Sequence, residues 1–130
     1  MSISRLTHHQ QFLFVARGQR VARHRVVVQA NKAWPEHERI RVGFTATKKT
    51  GNAVRRNRGK RRLRAGAAQV LSQFGVPGWD YVFIARKETA DAPWQQLLGD
   101  MKAALRSLHV AKGRDKPTAP PKPTKLGKEE

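Results

Sequence analysis

Cysteine is absent from the 130 residues, which excludes a disulfide framework and any thiolate zinc site and predicts a cytoplasmic setting. Long apolar runs are missing too. Nothing approaches the ~18–20 residues of a membrane span, and the opening MSISRLTHHQ lacks the apolar core of a signal peptide. No membrane partner is expected. Acid is the third scarcity: 9 Asp and Glu stand against 27 Lys and Arg, a formal charge of +18. Such self-repulsion calls for a polyanionic partner. Residues 1–79 hold 17 basic and 2 acidic side chains, and between Glu38 and Asp80 there is no acid at all.

What is present suffices for one modest core: 38% hydrophobic residues, with three Trp and five Phe. The length fits a single domain. It is placed at residues 1–111, and the run KGRDKPTAPPKPTKLGKEE from Lys112 reads as a disordered basic tail, rich in Pro and Lys and poor in apolar side chains.

Thr7 with Gln10 suggests a capping box opening a helix over 8–17 that ends at Gly18. Val26 to Val28 and the alternation of Ile40, Val42, Phe44 and Ala46 against Arg41, Gly43, Thr45 and Thr47 read as strands. The turn chemistry of Asn31, Pro35 and Glu36 between them suggests an antiparallel pair. A short strand near Val21 fits the same pattern, and Tyr81 to Ala85 adds another. Gly59, Leu63, Ala67, Val70, Leu71 and Phe74 form the buried stripe of a helix from about 53 to 74. A last amphipathic helix starts near Pro93, carrying Trp94, Leu97, Leu98, Met101, Leu105 and Leu108 on one face. The fold class is α+β, a two-layer sandwich with a mostly antiparallel sheet.

Seven cations fall within residues 55–64 with no acid among them. At helical spacing Asn57, Arg61 and Arg64 share one stripe and Arg55, Arg58 and Arg62 another, both away from the apolar one. Like charges four apart repel, so this helix is expected to need an external anion, and Arg suits bidentate phosphate contacts. Nucleic acid is the partner read from this pattern; the residue types do not choose RNA over DNA.

The stretch RVGFTATKKTGNAVRRNRGKRRLR, residues 41–64, resembles the signature of the bacterial ribonuclease P protein subunit. The similarity runs more loosely through Phe12 in the first helix, DYVFIARK at 80–87 and the closing helix. The resemblance implies a left-handed β-α-β crossover carrying the basic helix, and a protein that partners a catalytic RNA removing the 5′ leader of precursor tRNA. The complex is expected to hold one protein and one RNA, with magnesium ions bound mainly by the RNA. It implies RNA contact by Lys48, Lys49, Arg55, Arg56, Asn57, Arg58, Lys60, Arg61, Arg62 and Arg64. It also implies a leader cleft involving Phe12, Arg56, Asn57 and Arg61, in which Phe12 stacks on unpaired bases; by periodicity alone Phe12 reads equally as core. Two positions depart from the family pattern: Ala16 stands where a second aromatic is frequent, and Gly59 where a bulky aliphatic is.

No catalytic or metal-binding residue is assigned to the protein. His8, His9, His24, His37 and His109 form no ligand spacing, and the acid-free centre offers no carboxylate for hydrolysis. The rival readings are a ribosomal or chaperone-like RNA-binding protein without a cleavage partner, and a DNA-binding module.

Overall fold

In a computed structural model that describes residues 3–33 and 38–111, five strands form one sheet in the order β1-β4-β5-β3-β2. The strands are β1 (Ile3–Arg5), β2 (Gln19–Ala22), β3 (Val26–Lys32), β4 (Ile40–Ala46) and β5 (Trp79–Ala85), and the helices are α1 (His9–Ala16), α2 (Ala53–Phe74) and α3 (Trp94–Ala111). The residues from Lys112 and those at 34–37 lie outside the described set, so the expected tail does too.

Two corrections concern the sheet. β3 and β4 are not partners: β5 lies between them, antiparallel to β3 and parallel to β4. The unforeseen β1 adds a second parallel pair at the β4 edge, so the sheet is mixed rather than mostly antiparallel. Turn residues at 31–36 mark a change of direction but carry no information about which strand is the neighbour. A parallel pair needs a long crossover, and α2 supplies it between β4 and β5.

Alternation sorts the side chains between the two faces. Val26, Val28, Ala30, Ile40, Val42, Tyr81 and Phe83 pack with Leu63, Val70, Leu71, Leu97, Met101 and Leu105 in the main core beneath α2 and α3. On the opposite face, Val82 meets Leu6 and Val15, with Phe12 and Ile84 packed against them under α1. The helices therefore divide between the two faces, α1 on one and α2 with α3 on the other. The cap of α1 is shifted by one residue from the expected box, for Gln11 Oε1 accepts from the backbone N–H of Thr7 (2.8 Å) and His8 (2.9 Å). Gly59 is buried, and a Cβ there would lie 3.1 Å from that of Ala85. The glycine lets α2 approach β5 closely, which offsets its cost in a helix interior.

At the end of the core, the Tyr81 hydroxyl accepts from Val76 N–H (2.9 Å) and lies 2.7 Å from His109 Nε2. Burial pushes the Tyr81 phenol up and the His109 ring down to about 4. Below its ordinary value near 6.5 the unfolded chain takes up a proton that the folded ring refuses. The contribution is complete above that value and is lost as pH falls toward 4. About 2 kcal/mol should disappear across this window, allowing for screening of the partly exposed ring. Urea unfolding of wild type and His109→Gln at several pH values checks it, the variant showing the flatter profile.

Candidate nucleic-acid interface

The route from β4 into α2 explains why the motif reads as it does. After β4 a single 3-10 turn, Lys48–Thr50, leads to Gly51, whose φ of 132° favours glycine, and then to Asn52, whose side chain accepts from Arg55 N–H at 3.0 Å. Thr50 Oγ1, almost fully buried, donates to the Ala85 carbonyl at 3.1 Å. Gly-Asn thus turns the chain and caps the helix. A helix whose first turn carries Arg55 and Arg56 sets cations against the positive end of its dipole, so their partners matter.

Several of these cations are satisfied within the chain. Arg55 pairs with Asp91 (2.9 Å) and donates to the Lys87 carbonyl (2.9 Å). Arg56 donates to the Gly51 carbonyl (3.0 Å) and Arg58 to that of Ala90 (2.7 Å). Arg62 donates to the carbonyls of Thr89 (2.8 Å), Ala90 (3.0 Å) and Ala92 (2.7 Å), and its guanidinium lies 5.6 Å from the Trp94 ring centroid. Desolvation, followed by the charge of Arg58, lowers the Arg62 pKa. The helix as a whole was expected to need an external anion; within it the Arg55/Arg58/Arg62 stripe clasps the loop between β5 and α3.

The other side is different. Lys48, Lys49, Asn57 and Arg61 are exposed, and neither they nor the half-buried Lys60 has a polar partner among the described residues. Arg64 reaches back over the ring of Phe44, 5.6 Å from its centroid. These groups form an acid-free surface that runs from the 3-10 turn along α2.

A distinct feature lies on the α1 face: an open groove of about 390 Å³ lined by His9, Phe12, Gln29, Phe44, Thr45 and Val82. Its floor follows from the β4 alternation. Gly43 leaves room for the Phe12 ring, which a Cβ would meet at 2.5 Å. Of the four residues expected to share a leader cleft, Phe12 alone lines this groove; Arg56, Asn57 and Arg61 stand on α2, which packs against the opposite face. Thr45 lines the groove and Lys48 follows three residues later, so the basic turn connects the two regions. Ala16 is exposed and takes no part in the lining. His9, Gln29 and Thr45 were not singled out from the sequence, although the alternation does put Thr45 beside Gly43.

Beyond the groove, Arg41 holds Asp80 through two bonds, Nε to Oδ1 at 2.9 Å and Nη2 to Oδ2 at 2.7 Å. This hydrogen bonding raises the Arg41 pKa. Asn31, next in register to Asp80, donates to the Phe14 carbonyl at 2.9 Å and tethers the end of α1. Among the described residues no three His, Asp or Glu side chains gather as a metal-ligand set, and no helix is long and apolar enough to cross a membrane.

The split between clasping and unpartnered cations makes a prediction. Arg62→Ala removes three hydrogen bonds to the loop and leaves the Thr89 and Ala92 carbonyls without their arginine donor, Ala90 keeping Arg58, and should cost about 2 kcal/mol, the size of charged hydrogen bonds at a partly exposed site. That corresponds to a fall of about 10 °C in the thermal midpoint. A midpoint within 2 °C of wild type, with ~2 kcal/mol expected, would contradict the clasp.

The family model described as Ribonuclease P matches residues 2–109. The chain is 52% identical over 112 residues to the ribonuclease P protein component of Ruegeria pomeroyi, covering 85% of this chain and 90% of that one. It is 45% identical over 108 residues to the protein of the same name from Caulobacter vibrioides, covering 83% and 72%. Among solved structures, the RNase P protein of Staphylococcus aureus superposes with a TM-score of 0.65 at 28% identity, covering 83% of this chain and 94% of that one. The RNase P protein from Thermotoga maritima gives 0.66 at 24% identity, covering 79% and 96%, a likeness of fold.

Proposed function

The chain belongs to the ribonuclease P protein family, the protein component of a ribonucleoprotein endoribonuclease that processes tRNA 5′ ends, and from that premise we propose a division of labour between its two faces. The unpartnered surface of Lys48, Lys49, Asn57, Lys60 and Arg61 holds the RNA subunit and the adjoining precursor tRNA. The groove over Gly43 receives the unpaired 5′ leader, a base stacking on Phe12. In this reading one protein binds one RNA in the cytoplasm, magnesium is held mainly by the RNA, and the RNA cleaves the phosphodiester. The protein supplies positive charge and a stacking surface. The observation that carries the proposal is the set of cations without internal partners in a stretch that has no acid from Glu38 to Asp80.

Reconstitution tests it. The purified protein alone should leave precursor tRNA intact and should stimulate cleavage by a ribonuclease P RNA when magnesium is limiting. Absence of stimulation with a competent RNA would refute this reading in favour of an RNA-binding protein with no cleavage partner. The groove has its own test. Gly43→Val drives a side chain into the Phe12 ring and should weaken binding of leader-bearing precursor about tenfold, within the range of one lost base–aromatic stack. Leaderless tRNA should bind as before; an equal loss for both substrates would separate the groove from the leader.

A further inference from the structure

A third basic feature lies where β1 meets α2. Ile3–Arg5 pairs in parallel with β4, Arg5 beside Val42. Leu6, next in the chain, is buried on the α1 side, so alternation turns Arg5 toward the α2 side. There its guanidinium lies 6.0 Å from the centroid of Phe44, the ring that Arg64 of α2 approaches to 5.6 Å. The ring is itself fixed by stacking on Phe83 at 5.9 Å, with the planes 26° apart.

Two guanidinium groups drawn to one ring repel each other, and an exposed cation–π contact is worth only ~0.5–1 kcal/mol. Neither has an acidic partner among the described residues. Asp80 belongs to the Arg41 pair in the row that turns toward α1, and Glu38 lies six positions back from Phe44 along the chain, roughly 20 Å in extended conformation. A backbone phosphate resolves the conflict, because its oxygens accept the planar forks of both arginines at once.

We propose that Arg5 and Arg64, oriented by Phe44, form a notch for a backbone phosphate of the RNA subunit, so that the N-terminal strand joins α2 in holding RNA. The notch rests on the RNA-binding reading above and adds a residue, Arg5, that lies far from the basic run in sequence. It also gives the three-residue β1 a function: pairing with β4 carries Arg5 to the flank of α2.

The test measures affinity of the full-length protein for its cognate ribonuclease P RNA transcript over a range of salt. Arg5→Gln should bind about tenfold more weakly, the loss of one charge-assisted contact, and its log affinity should depend less steeply on log salt by roughly one. Arg5→Lys should recover the salt dependence while remaining weaker than wild type, because it keeps the charge and lacks the fork. The double variant Arg5→Gln/Arg64→Gln should lose less than the product of the two single losses, since both act on one phosphate. Thermal midpoints of these exposed-site variants confirm that each is folded. Wild-type affinity for Arg5→Gln, or single losses that multiply in the double variant, would overturn the notch. Failure of the parent reading is separate: Arg61→Gln would then also bind like wild type.

Discussion

Arg41→Ala should cost about 3–5 kcal/mol of folding stability, the range for breaking a buried ion pair by removing one partner. Asp80 is 1% exposed, and Arg41 is its bidentate partner across the parallel β4–β5 pair. Removing the guanidinium takes both of these charge-assisted bonds away from a buried carboxylate. Replacing both residues together, as in Arg41→Met/Asp80→Leu, should be milder than Arg41→Ala, because the buried charge is then removed with its arginine partner. Urea denaturation of the two variants and wild type measures both effects; a loss below about 1 kcal/mol for Arg41→Ala would show that the carboxylate is satisfied without it. The consequence reaches the groove. Asp80 sits in register with Asn31, whose amide anchors α1 through the Phe14 carbonyl, so loosening this row also frees the helix that carries Phe12.

That row illustrates what was legible in the sequence. Alternation in β4 correctly separated Arg41, Gly43 and Thr45 from the core set, and the helical stripe of α2 was correct from Gly59 to Phe74. Such patterns are local, fixed by periods of two and 3.6 residues. Sheet order is not local: Asp80 meets Arg41 only because a 22-residue helix returns the chain in parallel, and no side chain in 31–36 encodes that choice. β1 was missed because three residues, Ile3 to Arg5, are too few to show a period. The clasping role of Arg58 and Arg62 was invisible for a different reason. Their partners are backbone carbonyls at 89–92, and a carbonyl has no letter in the sequence. The family motif therefore marked a region faithfully while leaving open which of its cations serve the fold and which face outward.

That distinction leads to the largest expected effect on binding. Lys48, Lys49, Lys60 and Arg61 have no internal polar partner among the described residues, so converting all four to Gln breaks no hydrogen bond of the fold and should leave the urea midpoint near that of wild type. Each phosphate they neutralise releases condensed counterions, and the slope of log affinity against log salt should fall by roughly 3 for the four. At moderate salt the RNA affinity should drop on the order of 10³-fold, about 1 kcal/mol per exposed contact. Arg58→Gln/Arg62→Gln removes two charges of the same sign from the same basic run and should do the reverse, lowering the urea midpoint while preserving the slope under conditions where the protein stays folded. Helix charge alone cannot produce this crossed result, since by charge alone the two sets would differ only in number. Equal slope changes per charge in both sets would show that RNA draws Arg58 and Arg62 away from the loop carbonyls. The clasp would then be a resting arrangement that opens on binding.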